Sequence, residues 1–178
     1  MGLATLISRP AESEYVPFYG GYVQLVPDGD IFGHLTEQID TLKTLLSPLS
    51  AEQANFRFGP DEWSIKEVVG HINDAERIFS YRALRISRND QTPLPGFDQN
   101  NYVREANFGD WTLADLLQEF ELLRRANLLA FNRLSPDISL RSGTAGNGMV
   151  SVRALLYIMV GHVAHHMESL HTNYLAKL

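Results

Sequence analysis

At 178 residues the chain is long enough to bury one core of its own, and a single domain spanning 1–178 is the expected organisation. It holds no cysteine, which excludes a disulfide framework, a thiolate zinc site and a cysteine nucleophile, so any metal must be held by nitrogen and oxygen. The mild net charge of -6 and the scatter of basic residues argue against a nucleic-acid binder.

The N-terminus carries a single arginine, Arg9, and only a short apolar stretch before Pro10, so it does not read as a secretory signal. The longest apolar run, Ala154 to Gly161, falls far short of the roughly 18 residues of a membrane span. A cytoplasmic protein without membrane association is expected. Residues 1–29 interleave Tyr15, Phe18, Tyr19 and Tyr22 with Pro17, Gly20, Gly21 and Pro27. So many aromatics predict an N-terminal arm packed on the rest rather than a disordered tail.

Four segments carry helical periodicity, and strand alternation between turn signals is nowhere obvious. The first opens after Asp30, a good N-cap, and runs from Ile31 to about Ser47, where Pro48 ends it. The second has the clearest start: Ser64-Ile65-Lys66-Glu67 is a capping box, and a stripe through Val68, Ile72, Ala75 and Phe79 carries it to about Arg88. The third begins near Thr112, bears Leu113, Leu116, Leu117, Phe120, Leu123 and Leu128, and ends at Ser135-Pro136. The fourth begins at Ser151 and extends almost to Leu178, with Gly161 its only interruption.

Helices of roughly 17 to 26 residues suit a four-helix bundle. The connections 48–63, 89–111 and 135–150 exceed ordinary bundle turns, which makes a non-adjacent connection plausible and points to lids, short extra helices or crossovers. Within them, Pro93-Leu94-Pro95-Gly96-Phe97-Asp98-Gln99 fits a lid and a rigid connector equally. Ser142 to Gly148 superficially suggests a phosphate loop but lacks the strand and the lysine, and reads as a flexible turn.

Placed on a helical wheel with Leu155 at zero, His162 falls near -20° and His166 near 20° by the rule of about 100° per residue, at the centre of the buried stripe. His165 falls on the flank and His171 faces away. Two imidazoles one turn apart in a core cost several kcal/mol if their nitrogens stay unpaired, and a metal satisfies both lone pairs at once. His71 borders the apolar face of the second helix; taken alone, it reads as a core histidine bonded to a neighbour. Asp74 and Glu76 follow it closely and are spaced to orient a ligand or carry a proton, but read more plainly as solvated. Arg77, Arg82, Arg85 and Arg88 read as a solvated helix face. Trp63 and Trp111 each precede a helix start, where packing is the simpler role.

Three stretches resemble the DinB/YfiT superfamily of metal-dependent enzymes: Glu62-Trp63-Ser64-Ile65-Lys66-Glu67-Val68-Val69-Gly70-His71, then Asp74-Ala75-Glu76-Arg77, then Gly161-His162-Val163-Ala164-His165-His166. The resemblance implies an all-α four-helix bundle with up-down-down-up connection, and a homodimer. It also implies a nickel or zinc ion on His71, His162 and His166, which is what brings His71 into the ligand set.

Two chemistries follow from such a site. An S-transferase would bind a low-molecular-weight thiol on the metal and lower its pKa. A hydrolase would use a metal-bound water and a carboxylate base. The expectation takes the thiol-dependent transferase first, acting on a small molecule, then the hydrolase; a non-catalytic ligand-binding bundle is the reading from another class. No catalytic base is identifiable from the residues.

Overall fold

Two single turns at Glu12–Glu14 and Pro17–Tyr19 lead into a short helix, α1 (Gly20–Gln24), in the computed structural model, which describes residues 7–146 and 148–178. The part of the N-terminal arm and of the no-signal reading that falls on residues 1–6, and Asn147 of the glycine-rich segment, lie outside the described residues.

The helix starts follow the caps. Asp30 accepts from the Phe32 amide at 3.0 Å and opens α2 (Ile31–Leu46). At α3 (Ile65–Ser87) the box closes both ways: the Ser64 amide donates to Glu67 at 2.6 Å, and the Glu67 amide to Ser64 Oγ at 3.3 Å. Asn89, at φ 59°, ends α3 in the left-handed conformation that asparagine tolerates. Asp98 caps α4 (Gln99–Ala106), a helix inside the connection 89–111. Thr112 caps α5 (Leu113–Phe131), and Ser135 caps the single turn α6 (Pro136–Ser139).

The segment read as a flexible turn is instead a hairpin. β1 (Ser142–Ala145) pairs antiparallel with β2 (Gly148–Ser151), and Leu94 adds a parallel bridge to Ala145. Its four-residue strands are too short to show alternation, which is why periodicity missed them. Ser151 then caps α7 (Val152–Ser169), which widens over Leu170–Tyr174. No described helix is long and apolar enough to cross a membrane.

The contacts define the topology. Asn73 reaches Leu116 while Glu76 reaches Arg124, so α3 and α5 are adjacent and parallel. Lys43 pairs with Glu121 while Gln38 meets Arg124, so α2 runs antiparallel to α5. His71 meets His162 and Tyr174 meets Trp63, so α7 runs antiparallel to α3. Connections α2 to α3 and α5 to α7 cross the diagonals, and α3 to α5 joins two parallel neighbours across the bundle's length, which is the up-down-down-up bundle and the reason for the long loops.

The core is divided. One apolar cluster holds Leu35, Phe79, Phe131 and Leu155, the other Ile39, Ile72, Phe120 and Val163. Between them each helix contributes buried polar groups: Gln38, Asn73 with Glu76, Arg124, and His162.

Candidate metal centre

His71 projects from α3 and His162 and His166 from α7, at the level of that polar layer. Nε2 of His71 lies 3.0 Å and Nε2 of His166 3.2 Å from Nε2 of His162. His71 and His162 are buried, at 2% and 4% exposure, and His166 is partly buried. The spacing of four residues stacks the two α7 rings one turn apart, and the antiparallel α3 brings His71 across to them.

Burial holds these rings neutral. It pushes His71 down to about 4 and His166 to about 3, and His162 well below its ordinary value, with the neighbouring imidazoles adding to the last two. Neutral imidazoles are the form that ligates a metal. A neutral Nε2 offers one hydrogen or one in-plane lone pair, so His162 can make one good hydrogen bond to its two facing partners, not two. A shared ion satisfies all three, and nitrogens about 2.1 Å from an ion at tetrahedral angles stand about 3.4 Å apart. Ligating atoms of the three lie within 4.8 Å of one another, so the residues fit a divalent ion.

Aromatic rings surround the cluster. Trp63 lies against His71 at 4.9 Å between ring centres, so its place before the α3 cap puts it at the site, a contact that the packing role alone did not anticipate. Tyr22 and Phe79 stand edge-on to His162 at 5.4 and 5.7 Å. Residues 7–29 lie along α7: Arg9 donates to the carbonyls of Val23 and Val26, and Glu14 accepts from Arg153 and Ser151.

Above His71 and His162 opens a cavity of about 730 Å³, walled by Phe18, Tyr19, Tyr22, Phe79 and Phe97. The loop 93–99 forms one side of it through Gly96, Phe97, Asp98 and Gln99, and is pinned to the hairpin by Leu94. It therefore walls the cavity and is anchored to the hairpin at the same time. His165 is exposed and touches Tyr22, and His171 is exposed; neither joins the cluster.

Two charged residues read as solvated are buried. Glu76 is 2% exposed and is gripped by Arg124, whose Nε and Nη2 donate to it at 2.8 and 3.0 Å, and by Asn127 at 2.8 Å. Arg124 also donates to Leu35 O and Gln38, and Gln38 donates to Val160 O, so one network crosses all four long helices. The signal was present: Arg124 falls four residues after Phe120, on the apolar stripe of α5. Arg82 is 3% exposed and borders the cavity, while Arg77 and Arg88 are exposed as expected. Asp74 is half-buried, and burial raises its pKa. Trp111 is largely exposed beside Phe108.

Fold and cluster together define an all-α bundle of up-down-down-up connection with three histidines converging in its core. The family model of the DinB superfamily matches residues 34–170, a span holding all three histidines, and the chain belongs to that superfamily. Among solved structures it is similar to YfiT from Bacillus subtilis, with a TM-score of 0.70 and 16% identity over 90% of this chain and 88% of that one. That protein is described as "a probable metal-dependent hydrolase with an unusual four-helix bundle topology". The comparison with curated proteins found no match. The arm that supplies Tyr22 precedes the matched span.

Proposed function

We propose that the chain is a metal-dependent enzyme acting on a small molecule, with a low-molecular-weight thiol as cosubstrate and S-transfer as its reaction. The observation that carries this is the convergence of three neutral imidazoles, two of which, His71 and His162, line an aromatic-walled cavity. His71, His162 and His166 hold the ion, nickel or zinc, through Nε2. Bound there, a divalent ion supplies Lewis acidity that brings a coordinated thiol or water close to its ionised form at neutral pH. Phe79, Phe97 and Tyr22 exclude water from the reacting atoms, and Tyr22 and Phe79 hold the His162 ring in place. In keeping with the superfamily resemblance, the working unit is a cytoplasmic homodimer.

The partners of the nearby carboxylates support this order of the readings. Hydrolysis wants a free carboxylate to take a proton from water. Glu76 is bound by Arg124 and Asn127, and Asp98, exposed on the cavity wall, accepts the amides of Asn100 and Asn101 on its Oδ1. A thiol needs no such base once ionised. Hydrolysis is the second reading, favoured by the fold likeness to the Bacillus subtilis protein.

The test is turnover by nickel- or zinc-loaded protein of electrophiles with small thiols, beside a panel of esters and amides. Thiol-dependent turnover lost in His162→Ala is expected. Thiol-independent cleavage of esters would move the assignment to hydrolysis, and no turnover in either panel would leave a ligand-binding bundle.

A further inference from the structure

The cavity contains a charge that the proposed chemistry does not use. Arg82 lies on α3 eleven residues after His71, close to three full turns, so both residues share one face of the helix. Its side chain is 3% exposed and lines the cavity, yet no carboxylate among the described residues pairs with it. The hydrogen bond it does make, from Nη2 to Pro95 O at 2.8 Å, is to a neutral carbonyl. A guanidinium has five donors, and a buried charge without a counter-ion is costly.

The surroundings keep this group available. Gly96 and Gly146 flank it without side chains; a Cβ at Gly146 would stand 3.7 Å from Nη2. Asp98, the acid on the same cavity, is exposed and caps α4. Arg82 is the one arginine or lysine among the lining residues. A single guanidinium above aromatic walls matches a monoanion with an apolar body; a phosphate ester, with its greater charge, calls for further cations or amide donors.

We propose that Arg82 is the anion-recognising residue of this cavity and that the substrate class is an organic carboxylate with an apolar body. The carboxylate pairs with the guanidinium, and the reacting end lies toward His71 and His162. Three turns of helix are about 16 Å and both side chains lean back toward the helix N-terminus, the arginine further for its length, so the two ends are on the order of 10–15 Å apart. This inference rests on the reading of the cavity as the substrate site.

Titration calorimetry of chelated protein with phenylhexanoate and with the matching neutral phenylhexanamide tests it without the metal. The carboxylate binds about tenfold or more tightly in the wild type, as expected of a charge-assisted pair. That preference falls to near unity in Arg82→Met and survives in part in Arg82→Lys. Should the methionine variant not fold, the wild-type Arg82 Nε–H resonance shifts with the carboxylate and not with the amide. Equal binding of the two probes, no binding of the carboxylate at millimolar concentration, or a resonance that ignores it would overturn the inference. Metal content and thiol-dependent turnover are read separately. An active enzyme without carboxylate preference sinks this inference alone, and a carboxylate preference in a protein without turnover supports it while sinking the S-transferase.

Discussion

Gly161 lies directly under the backbone of Tyr22: a Cβ at position 161 would stand 1.9 Å from the Tyr22 carbonyl oxygen and 2.4 Å from its carbon. That close approach seats α1 on α7 and places the Tyr22 ring against His162, the residue next to the glycine. Helix propensity and packing predict opposite signs for Gly161→Ala. An unhindered substitution in a helix stabilises by about 1 kcal/mol, whereas overpacking against backbone destabilises by about 1–3 kcal/mol. Packing wins here, because the obstacle is main chain. Urea unfolding is expected to show a lower midpoint for Gly161→Ala; an unchanged or higher midpoint would contradict the seating of α1.

Arg124 and Glu76 form a fully desolvated pair, with side-chain exposures of 0% and 1%. Removing one partner strands the other in the core, so Arg124→Met or Glu76→Leu alone should cost about 3–5 kcal/mol. The double variant restores most of that loss, since two apolar side chains leave no buried charge. Denaturant titration of the three variants as a double-mutant cycle reads the coupling. Additive losses would show that the pair does not act as a unit.

These two sites mark what the residues disclosed in advance and what they did not. The long helices were legible because caps and apolar stripes are local: Ser64 with Glu67 announces α3 without any tertiary information. His162 and His166 were legible for the same reason, both lying on one stripe of one helix, while His71 entered the ligand set through resemblance to a family. The hairpin was hidden by its shortness. Glu76 and Arg82 were misread because a charge on a helix looks solvated until the partner or the cavity opposite it is known. Tyr22 was legible only as part of a packed arm, because it reaches the site from outside the four long helices.

Acid should destabilise the metal-free protein through two overlapping losses. His71 and His166 have folded-state values near 4 and 3, against about 6.5 when unfolded, so the unfolded chain takes up protons first as pH falls. This contribution is complete above about pH 6.5 and is lost between there and about 4 for His71 and about 3 for His166; His71 alone accounts for about 3 kcal/mol at about 1.4 kcal/mol per unit. Below about 4.5 a second loss begins as carboxylates protonate, led by Glu14, held down to about 2 by Arg153. Melting temperature against pH checks this. A flat profile from pH 6.5 to 4.5 would deny that the imidazoles are buried neutral.

The central claim, three histidines sharing one divalent ion, is tested by elemental analysis of protein loaded with nickel or zinc and passed through a desalting column. About one ion per chain is expected in the wild type, with loss of most of it in His162→Ala and retention in His165→Ala, whose ring lies outside the cluster. A wild type without stoichiometric metal, or a His162→Ala variant that holds it equally well, would contradict the account.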